Sequence, residues 1–155
     1  MMDRRELLHR AALLMGGAIS ASAASGILAG CVSMPGETPM TTFLNDEEKR
    51  TVTAMAEQII PRTDTPGASD AGVPGFIDKM LAGYYQDKER TLIRAGLRQV
   101  ATDAAELRGK PFAELTSDEQ VMLMKEYDRE AYAPRPAGSD THFFRMMKEL
   151  TILGY

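Results

Sequence analysis

The stretch that decides the fold is AEQIIPRTDTPGASDAGVPGFI, residues 56–77. Its first residues continue a helical pattern, which Pro61 ends because proline lacks the backbone N–H that a helix interior needs. Residues 62–72 are rich in turn-forming residues and predict a loop. Pro74 is suited to the start of a second helix, since proline is favoured in the first helical turn. The stretch therefore predicts two helices joined by a loop.

Each of these helices has an apolar stripe at helical spacing, which predicts that one face packs on a core. Before the first helix, Asn45 and Glu48 have the spacing of a capping box, in which each side chain bonds the backbone N–H of the other residue. The inward positions are predicted to be Leu44, Val52, Met55, Ile59 and Ile60 in the first helix, and Phe76, Ile77, Met80, Leu81 and Tyr84 in the second.

Three further helices follow in the pattern of apolar residues and breakers. One is predicted over residues 88–108 and ends at Gly109, because glycine is favoured just past a helix. Another runs to about Tyr132 after a start at Thr116 with Glu119, or at Ser117 with Gln120. The last begins at about residue 142.

The connector before the fourth helix is expected to return Phe112 and Leu115 to the core. The apolar residues of the third to fifth helices are Leu92, Ile93, Leu97, Val100, Ala104, Leu107, Val121, Leu123, Met124, Tyr127, Phe143, Phe144, Met146, Met147, Leu150 and Leu153. No segment has a convincing strand pattern. The sequence therefore predicts an all-α fold, a small bundle of about five helices over residues 44–155.

The N-terminal segment has the order of an export signal. Arg4 and Arg5 precede a weakly apolar run, which fits a twin-arginine signal, and Leu28-Ala29-Gly30-Cys31 fits a lipobox cleaved before the cysteine. We predict a twin-arginine and lipoprotein signal peptide over residues 1–30. An uncleaved anchor helix is the alternative, although a membrane span needs about 20 strongly apolar residues.

Cys31 is the only cysteine of the chain, so an intramolecular disulfide is impossible and lipidation explains the residue. Residues 31–43 contain prolines, a glycine and threonines and are predicted to be a tether between the lipid and the helical domain. The expected localisation is the periplasm, as a lipoprotein anchored in the membrane after export by the twin-arginine translocase.

Residue types that carry chemistry are scarce after the signal. His142 is the only histidine there, and at a helix start it is more typical of a cap or of a surface residue than of catalysis. No nucleophile, zinc, haem-attachment or dinucleotide motif is present. Asp64 and Asp70 lack the ligand spacing of a calcium loop, and Asp64 with Thr65 is better suited to shaping a turn. The net charge of −4 also argues against nucleic-acid binding.

The last helix has aromatic and methionine side chains on more than one face. This is more than the core of a small domain is expected to need from one helix, so we predict a protein interface there. The loop after the first helix is the second predicted contact region. The candidate partner contacts are Thr63, Asp64, Thr65, Pro66, Phe143, Phe144 and Met147.

The run from Ala56 to Ala68, followed by Ala71-Gly72-Val73-Pro74 and Phe76-Ile77, resembles the gluconate 2-dehydrogenase subunit 3 family. Weaker similarity extends over Gly96-Leu97, Phe112 with Leu115, and Phe143-Phe144 to Gly154-Tyr155, so the resemblance covers about residues 43–155. The string at residues 59–68 is the specific part. The other similarities are less specific because helical patterns recur in many proteins.

The resemblance implies a non-catalytic subunit of a membrane-attached sugar or gluconate dehydrogenase. The large partner subunit would be a flavoprotein of the glucose-methanol-choline type that holds FAD, and a cytochrome c subunit with haem would accompany it. No cofactor, metal or catalytic residue is expected in this chain. The small subunit would supply the export signal and assist maturation or membrane attachment. The alternative is a stand-alone exported lipoprotein that acts as a binding or scaffolding module.

Overall fold

The structure is a computed structural model that describes residues 42–136 and 138–155. Within these ranges it has five α-helices, a single 3₁₀ turn at Phe112–Glu114 and no strand, which confirms the predicted all-α fold. The helices are α1 Asp46–Ile59, α2 Val73–Gly83, α3 Asp87–Arg108, α4 Ser117–Tyr132 and α5 Phe143–Gly154. The predicted signal peptide with Arg4 and Arg5, the lipidation site Cys31 and the tether up to residue 41 lie outside the described residues.

Capping residues start and end the helices where the sequence predicts. Asn45 accepts a hydrogen bond from the N–H of Glu48, whose carboxylate accepts the N–H of Asn45, both at 2.9 Å. Thr116 and Glu119 form the same reciprocal pair before α4, so the first of the two predicted starts is the one used. Gly109 ends α3 with a φ of 66°, a backbone conformation that glycine adopts without strain.

Helix α5 lies at the centre of the bundle and packs against the other four helices. Its contact with α3 is close, because a Cβ atom added to Gly96 would lie 2.0 Å from the Phe143 ring. The connector also returns to the core as predicted, with Phe112 and Leu115 buried. A central helix has neighbours on several sides, so it can bury side chains on more than one face.

Two residues predicted to face inward are exposed instead. Tyr84 is 72% exposed because it follows the last residue of α2, where the backbone leaves helical geometry and the stripe no longer applies. Leu153 is 67% exposed because it lies in the last turn of α5, on a side that no described helix covers. Periodicity alone cannot show where a neighbouring helix ends.

Phe43, the last residue of the predicted tether, belongs to the folded domain. Its N–H and that of Leu44 each donate to the Asp78 carboxylate at 2.8 Å, and Asp78 is 9% exposed. The Arg94 guanidinium lies 4.4 Å from the centre of the Phe43 ring. The part of the chain that the structure describes has no helix long and apolar enough to span a membrane.

Candidate partner-binding surface

The loop between α1 and α2 is organised by one carboxylate from the preceding helix. Glu57, in the last turns of α1, accepts the backbone N–H of Arg62 and that of Ser69, both at 3.0 Å. These two bonds join the start of the loop to its end. Their effect is to present the residues between them on the surface, where Thr63, Asp64, Thr65 and Pro66 are all exposed.

Gly67 and Asp70 complete the base of this loop. A Cβ atom at Gly67 would lie 2.3 Å from a carboxylate oxygen of Glu57, so only glycine leaves room for that carboxylate. Asp70 accepts the N–H of Gly67 at 3.1 Å and also pairs with the Arg62 guanidinium. The buried Ala68 donates its N–H to the Ile60 carbonyl at 2.9 Å. The Gly67-Ala68 part of the string therefore has a packing reason.

The electrostatics of Glu57 follow from its position in the loop. The N–H and the hydroxyl of Ser69 donate to the carboxylate and lower the pKa of Glu57, while burial opposes this shift and Arg62 adds to it. A lowered pKa keeps the side chain ionised at neutral pH, which is the state that accepts both backbone N–H groups. Glu57 therefore holds the loop as an ionised carboxylate near pH 7.

The side chains at the tip of the loop bond to one another. The hydroxyl of Thr63 donates to the Asp64 carboxylate at 3.0 Å and lies 3.3 Å from the Thr65 hydroxyl. This arrangement supports the interpretation of Asp64 and Thr65 as turn-shaping residues. Within residues 42–136 and 138–155, no three His, Cys, Asp or Glu side chains are grouped so that they could hold a metal ion.

The last turn of α5 lies beside this loop and is apolar. The Tyr155 hydroxyl donates to the Pro66 carbonyl at 3.0 Å, which joins the two segments. Ile152, Leu153 and Tyr155 are 65%, 67% and 52% exposed. We call the loop tip and this helix end together the docking surface. Its residues are Thr63, Asp64, Thr65, Pro66, Ile152, Leu153 and Tyr155.

The three candidate contacts at the other end of α5 are core residues. Phe143, Phe144 and Met147 are 4%, 3% and 1% exposed, and both phenylalanine rings pack against the Tyr127 ring. Their burial contradicts the prediction that these three residues contact a partner, because the central position of α5 covers more than one of its faces here. The apolar side chains of α5 that the described fold leaves exposed are Ile152 and Leu153. The loop candidates and these three residues therefore do not share a surface.

The residues that support the loop and extend the docking surface have no signal along the sequence. Glu57 lies twelve positions before Ser69, a separation at which no local motif predicts a hydrogen bond. Ile152 and Tyr155 were not singled out because an isolated apolar residue near a chain end has no periodic signal. Exposure of an apolar side chain depends on what covers it, which one helix alone does not show.

Of the two placements expected for His142, cap or surface residue, the structure has the cap. It precedes the first residue of α5, and its Nδ1 atom accepts the N–H of Phe144 at 3.3 Å. Its Nε2 atom lies 3.4 Å from a carboxylate oxygen of Glu130, and its side chain is 11% exposed. The ring partners that the structure shows are thus the Phe144 N–H on Nδ1 and the Glu130 carboxylate near Nε2.

The comparison with protein families matches this domain over residues 46–155, with the model described as gluconate 2-dehydrogenase subunit 3. The chain belongs to that family. The match begins at the first residue of α1 and includes the loop, α5 and the docking surface, so it confirms the resemblance carried by residues 56–77. No curated protein and no solved structure matches the chain significantly. Family membership places the chain as an accessory type of subunit, associated with a dehydrogenase complex.

Proposed function

We propose that the chain is the non-catalytic small subunit of a periplasmic, membrane-attached, FAD-dependent dehydrogenase of sugars or gluconate. It supplies the export signal and assists maturation or membrane attachment of the catalytic flavoprotein. The observation that carries this proposal is the family match over the whole helical domain, on a chain whose N-terminus has a twin-arginine pattern. FAD would be held by the large subunit and haem by a cytochrome c partner.

The export signal supports an escort role for this subunit. Twin-arginine export carries proteins that have already folded, and the helical domain has no sequence motif for a cofactor that would require such export. A flavoprotein that loads FAD before it crosses the membrane does require it. Arg4 and Arg5 would then serve a passenger, and a lipid on Cys31 would hold the pair at the membrane.

The docking surface supports a stable contact with a large partner. Its apolar side chains Ile152, Leu153 and Tyr155 are all exposed at one end of α5, and exposed apolar residues in one region are typical of a binding site. The loop tip adds hydroxyl and carboxylate groups around them, which is the polar surrounding expected of a protein interface. We propose that the flavoprotein binds here.

Deletion of residues 1–30 tests the escort role. The flavoprotein should then remain in the cytoplasm, and periplasmic dehydrogenase activity should be lost. The matched control replaces Arg4 and Arg5 by lysines, which keeps the charge of the segment and impairs only recognition by the translocase. Normal periplasmic activity in the deletion strain would refute the escort role and favour a stand-alone lipoprotein.

Substitution of Ile152 by Asp tests the docking surface. A charge at an exposed position leaves the fold intact but opposes burial against a partner, so co-purification of the flavoprotein should fall strongly. Met122→Asp is the control, because Met122 is 51% exposed on α4 and is not part of the docking surface. Equal recovery of the flavoprotein with both variants would show that the partner binds elsewhere.

A further inference from the structure

Residues 138–141, the segment before α5, form one wall of a large cavity. This cavity has a volume of about 860 Å³ and lies between the start of α3, residues 138–141 and α5. Its apolar lining includes Leu92, Ala95 and Met146. A second cavity of about 490 Å³ adjoins it and includes Arg135 and His142 in its lining. The position of this segment therefore sets the shape of both cavities.

Two cationic side chains, Arg135 and Lys88, hold this segment. Arg135 donates to the carbonyls of Glu130 and Asp140 at 3.2 Å and 3.1 Å, and Lys88 pairs with the Asp140 carboxylate at 2.6 Å. Histidine is the side chain whose ordinary pKa lies between pH 5 and pH 8. His142 is the only histidine among the described residues.

The contacts of His142 require a neutral ring. Nδ1 must have a free lone pair to accept the N–H of Phe144, so the ring proton is on Nε2, which faces Glu130. Protonation turns Nδ1 into a donor that faces another donor, and it places a positive charge at a helix N-terminus, where the helix dipole is unfavourable to cations. The cap is thus incompatible with the charged ring.

We propose that His142 is a pH-sensitive N-cap, which holds the first turn of α5 and the cavity wall in place near neutral pH and releases them in acid. The charged groups that face the ring are Glu130 from α4, which favours the imidazolium, and Arg135 from the stretch after α4, which opposes it. The α3 residues that line the adjoining cavity have no titratable side chain, and they are Leu92, Ala95, Gly96 and Gln99.

The direction of the effect follows from burial. Burial, with a smaller contribution from Arg135, lowers the pKa of His142 below its ordinary value. A group whose pKa is lower in the folded state than in the unfolded state favours the folded state when it is neutral. The contribution of the cap is therefore complete above about pH 6.5 and is lost as the pH falls below that value through the lowered pKa.

Hydrogen exchange of the full chain, followed by NMR between about pH 7.5 and pH 5, tests this proposal. After correction for intrinsic rates, protection of the Phe144 amide should fall roughly fivefold with acid, the loss expected for one N-cap. The Glu48 amide is the internal control, because Asn45 caps it with a side chain that does not titrate. The His142→Asn variant should keep its protection throughout, since asparagine is an acceptor at every pH.

The Glu130→Gln variant separates a pH switch from a merely structural cap. Removing this carboxylate should shift the loss of protection to lower pH, because Glu130 favours the protonated ring. A Phe144 amide whose protection is independent of pH would overturn the proposal. So would His142→Asn with the same pH dependence as the wild-type chain, because the titrating group would then be another residue.

Discussion

The two ends of α5 are both apolar, but they have opposite environments. At the N-terminal end Phe143, Phe144 and Met147 are buried among four other helices, whereas Ile152 and Leu153 at the C-terminal end are mostly exposed. Composition does not distinguish these ends. The difference teaches that an apolar residue indicates an interface only where the rest of the fold leaves it uncovered, and in α5 this is the end beside the loop.

The largest expected effect comes from the same substitution made at a buried and at an exposed position of α5. Leu150 is fully buried and Leu153 is 67% exposed, and the two residues are less than one turn apart. Leu150→Ala should lower the free energy of unfolding by about 2–5 kcal/mol, because it removes core contacts and leaves a cavity. Leu153→Ala should change it by less than about 0.5 kcal/mol. Thermal denaturation followed by circular dichroism measures both, and equal losses would contradict the comparison.

The contact between α3 and α5 is expected to give the next largest effect. Gly96→Ala places a methyl group 2.0 Å from the Phe143 ring, which must then move within a packed core. The free energy of unfolding should fall by about 1–3 kcal/mol. Gly83→Ala is the matched control, since a Cβ there meets nothing within 4 Å and alanine favours the helix. Denaturant unfolding should show that Gly96→Ala is less stable and Gly83→Ala more stable than the wild-type chain.

Removal of the charge at Glu57 should have a moderate effect that is confined to the loop. Glu57→Gln keeps the shape of the side chain but can accept only one of the two backbone N–H groups, so about 1 kcal/mol of stability should be lost at neutral pH. Hydrogen exchange of the Arg62 and Ser69 amides should increase. Unchanged exchange at both amides would exclude Glu57 as the organiser of the loop.

The pH dependence of that variant sharpens the assignment. Because the pKa of Glu57 is lowered in the folded state, the stability from its charge is present above about pH 4.3 and is lost as the pH falls through the lower folded value. The difference between wild-type and Glu57→Gln chains should therefore disappear in acid. A difference that persists there would point to the shape of the side chain rather than to its charge.

The smallest effect on stability is expected at the junction of the loop and α5. Tyr155→Phe removes the hydroxyl that donates to the Pro66 carbonyl, a bond at the surface where water can replace it. The free energy of unfolding should change by less than about 0.5 kcal/mol. If the junction positions the docking surface, Tyr155→Phe should clearly reduce co-purification of the flavoprotein while the free energy of unfolding hardly changes. A fall of several degrees in the melting temperature without loss of the flavoprotein would show that the bond stabilises the fold and does not position the docking surface.

Much of the fold could be predicted from the sequence because the deciding interactions are local. The capping pairs Asn45 with Glu48 and Thr116 with Glu119, and the stop at Gly109, depend on residues within one helical turn. Pro61 and the turn residues after it delimit the loop for the same reason. The string at residues 59–68 was also sufficient for the family, which the match over residues 46–155 confirms.

The candidate site depended on contacts between distant parts of the chain. Tyr155 meets Pro66 and Glu57 meets Ser69 only after the bundle has formed, and no spacing along the chain encodes either contact. The prediction for Phe143, Phe144 and Met147 failed because periodicity reports that a face is apolar and not what covers it. By itself the sequence determined the helices, their ends and the family, since these follow from local chemistry. Only the tertiary structure decided which apolar end of α5 is core and which is surface, because burial belongs to the packed bundle as a whole.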